Sequence, residues 1–202
     1  MTRPGREAGR QTRAALREAA LALFVEQGYE PVTMAAIANQ IGGYPNQVTH
    51  HFGSKDALFA EASGLAILRA ARHAEQAAVH ADSIESHARI LIASLLGPGA
   101  SSVMMFAEAM LMARNKAALR PSIQSALDRL HAVGEATLLE TLSRHRWKIR
   151  TSPEMVTRAF WASVLGLALE KAATGDAFEH QSAEAVALSM MNLNQDYIAK
   201  IE

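Results

Sequence analysis

Apolar side chains recur every three or four residues along nearly the whole chain, which is the pattern of helices that bury one face. One such stripe runs from Leu16 to Phe24, and glycine or proline separates it and the later stripes from one another. The chain lacks a set of Val/Ile/Thr-rich runs that alternate with polar residues, as strands would require. The pattern therefore predicts an all-α protein of nine helices, three shorter ones followed by longer ones.

Capping residues, glycine and proline place the ends of these helices. Thr33 is a candidate N-cap, Pro45 suits a first helical position, and Ser54 and Ser152 open later helices. The predicted helices span about 12–26, 33–40, 45–50, 55–79, 83–96, 101–118, 121–145, 153–174 and 181–199. We expect a small N-terminal domain at residues 1–54 and a larger helical domain at residues 55–202.

The second and third helices, joined by Gly42-Gly43 behind a supporting first helix, have the outline of a helix-turn-helix. In that motif the second helix of the pair lies in the major groove of DNA. The outward side chains of the third element can hydrogen-bond to bases or phosphates and carry no fixed charge. These side chains are Tyr44, Asn46, Gln47, Thr49 and His50. The alternative is an ordinary helix end, because glycine turns between short helices are common in all-α folds.

Charge is balanced over the chain but uneven along it. Twenty Lys and Arg offset twenty Asp and Glu, and a formal net charge of zero gives no global reason to expect nucleic acid. Residues 1–17, however, contain five arginines and one glutamate, a local charge of +4. Taken alone, this segment is also compatible with a solvated tail.

Composition argues against several classes of protein. Half of the 202 residues are apolar and a fifth are charged, which favours a packed chain over a disordered one. The absence of cysteine excludes disulfides, a thiol nucleophile and cysteine zinc sites. Catalytic and nucleotide-binding motifs such as G-x-S-x-G, the P-loop and H-E-x-x-H are not found, so an enzyme is the least favoured hypothesis and no cofactor is predicted. His73, His80 and His87 recur every seven residues, too far apart on a helix to share one metal ion.

The segment 159–169 is apolar around the whole helix, with one polar residue among eleven. It is much shorter than the ~20 residues that cross a bilayer, so we expect no membrane span. One side of this helix can face the chain's own core, and the other a second copy of the chain. The predicted homodimer interface consists of Phe160, Val164, Leu167, Ala168, Leu188 and Met191. A central helix of a monomer and a helical adaptor that binds a different protein are the alternatives.

Methionine-rich segments of the larger domain suggest a cavity for an apolar or aromatic compound, because methionine adapts to irregular space. The candidate pocket residues come from the predicted sixth, seventh and eighth helices. They are Met104, Met105, Phe106, Met110, Leu127, His131, Trp161 and Leu165. Methionine at helical spacing is also common in ordinary cores, so packing is the alternative.

Several runs between residues 12 and 60 resemble one known family. They are Gly28-Tyr29, residues 33–38 (TMAAIA), Ile41-Gly42 and above all residues 50–59 (HHFGSKDALF). These runs are similar to the DNA-binding domain of the TetR/AcrR transcriptional regulators. The resemblance implies a homodimeric, all-helical, cytoplasmic repressor or activator. Such a protein binds a palindromic operator in double-stranded DNA and releases it when a small molecule enters the larger domain.

The resemblance also implies contacts with phosphate. Thr33 would place its hydroxyl and nearby N–H groups at a phosphate, while His50 and Lys55 match family positions that touch the DNA backbone. An N-terminal arm near phosphate or the minor groove would consist of Arg3, Arg6, Arg10 and Arg13.

The chain departs from the family pattern at three positions of the helix-turn-helix. Members commonly carry Val, Ser and Tyr where this chain has Gly43, Tyr44 and Thr49. The family's base preference therefore does not carry over, and operator affinity is expected to be lower than usual.

Overall fold

A computed structural model describes residues 4–193, with side chains from residue 6 onward. This part of the chain forms nine α-helices and two short 3₁₀ turns, and it contains no strand. The helices are α1 Pro4–Gln27, α2 Met34–Asn39, α3 Pro45–Phe52, α4 Lys55–Ala77, α5 Ile84–Leu96, α6 Ala100–Asn115, α7 Arg120–His145, α8 Pro153–Thr174 and α9 His180–Met190. The predicted all-α, nine-helix fold is confirmed.

The largest difference from the predicted boundaries is at the N-terminus. Helix α1 begins at Pro4 and not near residue 12, so most of the predicted arm is helical. Proline suits the first turn of a helix, and the Arg, Glu, Gln and Ala residues that follow are good helix formers. Glu7 in the first turn adds a favourable interaction with the helix dipole. At the other end α9 stops at Met190, and the predicted continuation beyond residue 193 lies outside the described residues.

The described chain divides into two compact units that are discontinuous in sequence. The first contains the residues up to Ala66 together with Glu108–Ala126, and the second contains Ile67–Ala107 together with the residues from Leu127 onward. The first unit therefore extends beyond residue 54, into α4, and includes the end of α6 and the start of α7.

The core of the first unit supports the short helices. Leu16 and Ile37 are fully buried, and Phe24 packs edge-on against Phe59 with ring centroids 5.0 Å apart. Tyr29 also packs edge-on against Phe59, at 4.9 Å. This aromatic cluster fixes the loop between α1 and α2, and so positions the helix-turn-helix.

The core of the second unit lies where α5, α8 and α9 meet. Ile92, Val164 and Leu188 are almost completely buried there. The Lys171 ammonium on α8 donates a 2.7 Å hydrogen bond to the Leu96 carbonyl at the end of α5, which satisfies an acceptor that the helix leaves unpaired.

The described residues contain neither a single membrane-spanning helix nor a cluster of metal ligands. No single helix among them is long and apolar enough to cross a membrane, although α5 and α6 pass the length and composition test as a pair bent by 73°. Residues 6–193 also contain no group of three or more His, Asp or Glu side chains placed to hold a metal ion.

Candidate nucleic-acid interface and ligand cavity

Helices α2 and α3 form a helix-turn-helix with a tight, capped geometry. The Thr33 hydroxyl oxygen accepts a 3.0 Å hydrogen bond from the Ala36 N–H and caps α2, as the sequence predicted. Gly42 has φ +65°, a left-handed conformation that glycine adopts without strain, and it turns the chain out of α2. Ile37 on α2 and Val48 on α3 are fully buried. The apolar contact and the turn together hold α3 in a fixed position.

The first turn of α3 is closed by the side chain of Gln47. Its Oε1 accepts a 3.0 Å hydrogen bond from the Tyr44 N–H, which is one half of a capping box. The side chain reaches back over Gly43, where a Cβ would collide with this Oε1 atom. Glycine at 43, which departs from the family's valine, thus leaves the space in which Gln47 Oε1 lies. Because this hydrogen bond holds Oε1 against the first turn of α3, contact with DNA falls chiefly to the Nε2 donors of the amide.

The other predicted base-reading side chains lie on the exposed surface of α3. Tyr44, the N-cap residue, is 74% exposed. Asn46, Thr49 and His50 are exposed as well. Asn46, Thr49 and His50 are spaced i, i+3 and i+4 and so lie on one face of α3, as base and phosphate contacts require.

His51 differs from its neighbour His50 because it is half-buried at the end of α3. Burial lowers the pKa of His51, and the nearby His50 and Arg13 lower it further. Its imidazole is therefore neutral at pH 7 and packs edge-on against the His50 ring at 4.9 Å. A neutral His51 adds no cationic charge to the surface of α3.

The predicted N-terminal arm is replaced by the first turns of α1. Arg6 is exposed on this helix, and Arg10 forms an ion pair with Glu7 one turn earlier. Arg3 lies outside the described residues. Arg6 and Arg10 are thus held on a helix, and their contact with phosphate or the minor groove stays a prediction.

Arg13 is part of the packing of the first unit. Its Nε donates a 3.3 Å hydrogen bond to the His51 carbonyl, and its guanidinium also forms an ion pair with Glu61. The guanidinium lies 4.5 Å from the centre of the Phe52 ring, a cation–π contact. Arg13 therefore joins α1 to α3 and α4, and the structure does not place it as a free phosphate contact.

Lys55 holds the loop between α1 and α2. Its ammonium donates hydrogen bonds to the carbonyls of Tyr29 at 2.8 Å, Glu30 at 3.2 Å and Val32 at 2.8 Å. It also lies 4.0 Å from the centre of the Tyr29 ring. An ammonium has three N–H donors, and here each has an acceptor. The phosphate contact implied by the resemblance would require Lys55 to leave this position.

A second network connects this loop with the end of α6. The Tyr29 hydroxyl donates to one carboxylate oxygen of Asp56, and the Lys116 ammonium donates to the other at 2.5 Å. Burial raises the pKa of Asp56, but the hydrogen bonds from Lys116 and Tyr29 outweigh burial and lower it overall. Burial and the bond to Asp56 raise the pKa of Tyr29 well above its usual value. Sequence reasoning missed Lys116, because sixty residues separate it from Asp56.

The second unit contains a cavity of about 270 Å³ between α4, α5, α7 and α8. Most of its wall is apolar, with Leu91, Leu130 and Phe160 among the lining residues. Its polar lining residues are Arg72, Glu75, His87, Arg129, Thr137 and Thr157. An apolar cavity with a few polar groups is the usual form of a small-molecule site.

A buried histidine marks one end of this cavity. His87 is 4% exposed, and its Nε2 lies 3.1 Å from a carboxylate oxygen of Glu75. A second cavity of about 210 Å³ shares Arg72, Glu75, His87 and Thr137 with the first. The pair of His87 and Glu75 therefore borders both spaces.

The predicted effector residues are not brought together at the 270 Å³ cavity. Of the eight, Trp161 alone lines it in the described part of the chain. Met105 and Phe106 are buried, whereas the remaining five are half-buried outside the cavity wall; these are Met104, Met110, Leu127, His131 and Leu165. Of the α6 candidates, Met105 and Phe106 are therefore core residues, and a role in effector binding for the others stays a prediction. The signals that sequence reasoning missed are a glycine inside α7, Gly134, and a threonine within apolar α8, Thr157.

The predicted dimer residues are all buried within the single chain. Phe160 is 9% exposed and the others less; the others are Val164, Leu167, Ala168, Leu188 and Met191. They form intrachain core and are not available to a second copy, because the inner face of α8 packs on α5 and α9. The exposed face of the same helix carries Met155, Ala162, Gly166 and Leu169. The burial predicted for α8 is confirmed for its inner side, and burial of the outer side by a second copy stays a prediction.

Comparisons with known proteins agree with this architecture. Residues 16–62 match the family model described as bacterial regulatory proteins, tetR family, and residues 84–190 match the model described as bacterial transcriptional repressor C-terminal. A transcriptional regulator from Rhodococcus sp. RHA1 has 39% sequence identity and a TM-score of 0.78, over 91% of this chain and 97% of that one. None of the curated proteins matches the chain.

Two more distant structures share the fold and contain bound small molecules. The regulator FadR from Bacillus subtilis, in complex with stearoyl-CoA, has 13% identity and a TM-score of 0.59 over 89% of this chain and 96% of its own. The multidrug binding protein EbrR, in complex with imidazole, has 22% identity and a TM-score of 0.61 over 93% of this chain and 90% of its own. Both family models and the Rhodococcus relative lead to one assignment: the chain belongs to the TetR family, as a DNA-binding transcriptional regulator with a ligand-binding C-terminal domain.

Proposed function

We propose that this protein is a repressor that binds a palindromic operator as a homodimer and is released by a small, mostly apolar effector. The observation that carries the proposal is the capped helix-turn-helix with exposed α3 side chains, in a chain that also encloses an apolar cavity. The description of the matched C-terminal model, a bacterial transcriptional repressor, favours repression over activation.

For DNA recognition, α3 enters the major groove and its exposed side chains contact bases and phosphates. Asn46 and Gln47 read bases, with Gln47 acting through its Nε2 donors. Phosphate contacts come from the remaining exposed polar groups and the start of α1. These are Thr33, Tyr44, Thr49, His50, Arg6 and Arg10, with Arg3 and Lys55 retained as candidates.

For dimerisation, the outward faces of α8 and α9 supply the contact. Met155, Leu169, Val186 and Met190 are large apolar side chains that are 41–56% exposed. Ala162 lies between them on α8, and Gly166 has open space around the position of a Cβ. Small residues allow two helices to approach closely, and a two-fold axis would pair this stripe with itself. This face replaces the buried one predicted from the sequence.

Substitution of Ala162 with arginine tests the dimer. Ala162→Arg places a charge in the proposed interface and is expected to shift the protein from dimer to monomer at micromolar concentration, as measured by light scattering. Ala77→Arg, at an exposed alanine at the end of α4, is the matched control and leaves the mass unchanged. A monomeric unmodified protein, or an Ala162→Arg variant that is still dimeric, contradicts the proposal.

Effector release follows from a shift in the population of dimer conformations. A molecule that fills the cavity favours a conformation in which the two α3 helices no longer match half-sites one helical turn apart. The complexes of FadR with stearoyl-CoA and EbrR with imidazole support the idea that this fold accommodates small molecules.

The operator is tested by selecting bound sequences from random duplex DNA and measuring their affinity at several salt concentrations. The expected product is an inverted repeat, bound at least tenfold more tightly than a single half-site. Enrichment of no sequence, or of a sequence without two-fold symmetry, contradicts the proposed operator.

A further inference from the structure

We propose that the 270 Å³ cavity binds a small, neutral, mostly apolar molecule through one acceptor oxygen, such as the carbonyl of a ketone or ester, held by Thr157 and Trp161. The inference rests on the proposed function in one respect, since it takes this cavity as the effector site. It adds the chemical class of the ligand and the residues that select it.

Two hydrogen-bond donors in the cavity wall are unused. Thr157 and Trp161 line the cavity, are 6% and 4% exposed, and lie four residues apart on one face of α8. In the part of the chain that the structure describes, the Thr157 hydroxyl and the Trp161 Nε1–H form no hydrogen bond, and neither atom is among the fully buried unpaired ones, so both donors are accessible from the cavity. Buried polar groups are nearly always paired in folded proteins. Two adjacent free donors therefore indicate a ligand that supplies the acceptor.

Gly134 keeps the space beside these donors open. A Cβ on Gly134 would lie 2.8 Å from the Thr157 methyl carbon and 3.5 Å from Trp161 Nε1. Glycine inside a helix is less stable than alanine, and α7 carries this one near the middle of its 26 residues. The glycine has no positive φ to justify it, so its close approach to α8 is the reason for its presence.

The charges around the cavity favour a neutral ligand. Arg72 and Arg129 are exposed to solvent, and Glu75 is engaged by His87. A carboxylate or an ammonium at Thr157 and Trp161 would lose its water without gaining a buried counter-ion, which is unfavourable. A carbonyl oxygen needs only the two donors present. Thr157 and Trp161 therefore select an uncharged acceptor.

The remaining wall indicates the size and shape of the molecule. Phe160 and Trp161 pack edge-to-face with ring centroids 5.2 Å apart, and leucine and valine side chains complete the surface. The volume lies just below the range of roughly 300–1,000 Å³ that accepts drug-sized ligands. A molecule of two fused rings, or an aliphatic one of similar bulk, suits this space.

Three naphthalene probes of nearly identical shape test the proposal by calorimetric titration of the full chain. 2-Acetylnaphthalene carries the carbonyl, 2-isopropenylnaphthalene replaces its oxygen by carbon, and 2-naphthoate carries a charge. We expect the ketone to bind roughly fivefold more tightly than the alkene, the effect of one net hydrogen bond, and the naphthoate to bind most weakly.

Substitutions assign the preference to the two donors. Thr157→Val removes one donor with little change in shape, and Trp161→Phe removes the other together with part of the indole. Each reduces the preference for ketone over alkene while the alkene still binds. Gly134→Ala places a methyl group 2.8 Å from the Thr157 methyl carbon, so the wall must shift and both probes should bind more weakly, while a far-UV circular dichroism spectrum like that of the unmodified protein shows that the chain still folds.

Three results would overturn the proposal. They are equal affinity for ketone and alkene, tightest binding of naphthoate, and no binding of any probe up to its solubility limit. Operator binding by the same preparations separates this inference from the proposed function. Failure to bind any selected DNA counts against the repressor, whatever the probe affinities are.

Discussion

The helix-turn-helix of the first unit and the cavity of the second differ in how their polar side chains are paired. In the first unit the polar groups near the helix-turn-helix bind one another and the backbone, as Lys55 does with three carbonyls and Gln47 with the Tyr44 N–H. In the cavity of the second unit, Thr157 and Trp161 form no hydrogen bond with any side chain or backbone group of the described residues. The helix proposed to contact the DNA duplex is thus already fixed in place, whereas the groups proposed to contact a small ligand still have free hydrogen-bond donors.

Lys55→Met gives the largest effect, because it removes the ammonium and keeps the apolar stem. Three carbonyls lose a charged donor, and we expect the free energy of unfolding in urea to fall by about 2 kcal/mol. Operator affinity should fall on every sequence without a change in its salt dependence. If Lys55 instead binds a phosphate, stability is preserved and the slope of log K against log salt decreases in magnitude by about 0.9.

Gly43→Ala comes next and acts through Gln47. The added Cβ displaces Oε1, so α3 loses the hydrogen bond at its first turn and about 1 kcal/mol of stability. The released amide can then use both its oxygen and its nitrogen, and adenine should become more favoured at one operator position. An unchanged base preference would show that Gln47 does not contact a base. Gly9→Ala adds a methyl group with no nearby atoms, at a glycine that like Gly43 has no positive φ, and serves as the control.

Asp56→Asn has a smaller effect that depends on pH. The folded state lowers the pKa of Asp56. The ionised carboxylate therefore stabilises the fold above its unfolded-state pKa of about 4, and this stabilisation disappears as the pH falls through the lower pKa of the folded state. Because Lys116 is half exposed, we expect a loss below about 1 kcal/mol at pH 7. Urea unfolding at pH 7 and below pH 4 checks this prediction. The free energies of unfolding of the variant and the unmodified protein should converge in acid, and a difference that does not change with pH would contradict the ion pair.

Thr157→Val has the smallest effect on stability and the opposite sign to Lys55→Met. Replacing an unpartnered buried hydroxyl by a methyl group should leave the melting temperature unchanged or raise it slightly. A marked loss of stability would mean that the hydroxyl has a structural partner, and the contrast between the two units would fail.

The sequence predicted the helices well because their signals are local. The capping residues Thr33 and Ser152, the glycine turn at Gly42 and the proline starts are read from neighbouring residues. The family resemblance located the helix-turn-helix in the same way. The N-terminal boundary failed because apolar periodicity does not detect a helix whose first turns are mostly exposed, as α1 is before Leu16.

The site chemistry was less predictable because it depends on distant partners. Nothing near Lys55 or Arg13 in sequence indicates that the folded chain occupies their donors. Similarly, α6 methionines and cavity residues have the same apolar character, and only the packing distinguishes them. Gly134 carried the clearest unused signal, an unexplained glycine within a long helix.

The discontinuous first unit has a consequence for protein engineering. Biosensors are often built by joining the DNA-reading head of one regulator to the ligand domain of another, and residue 54 would look like a natural junction. Here such a junction separates Asp56 from Tyr29, and a foreign Glu108–Ala126 segment would lack Lys116. A functional chimera should therefore transfer two segments, the residues up to Ala66 and Glu108–Ala126, as one transplant.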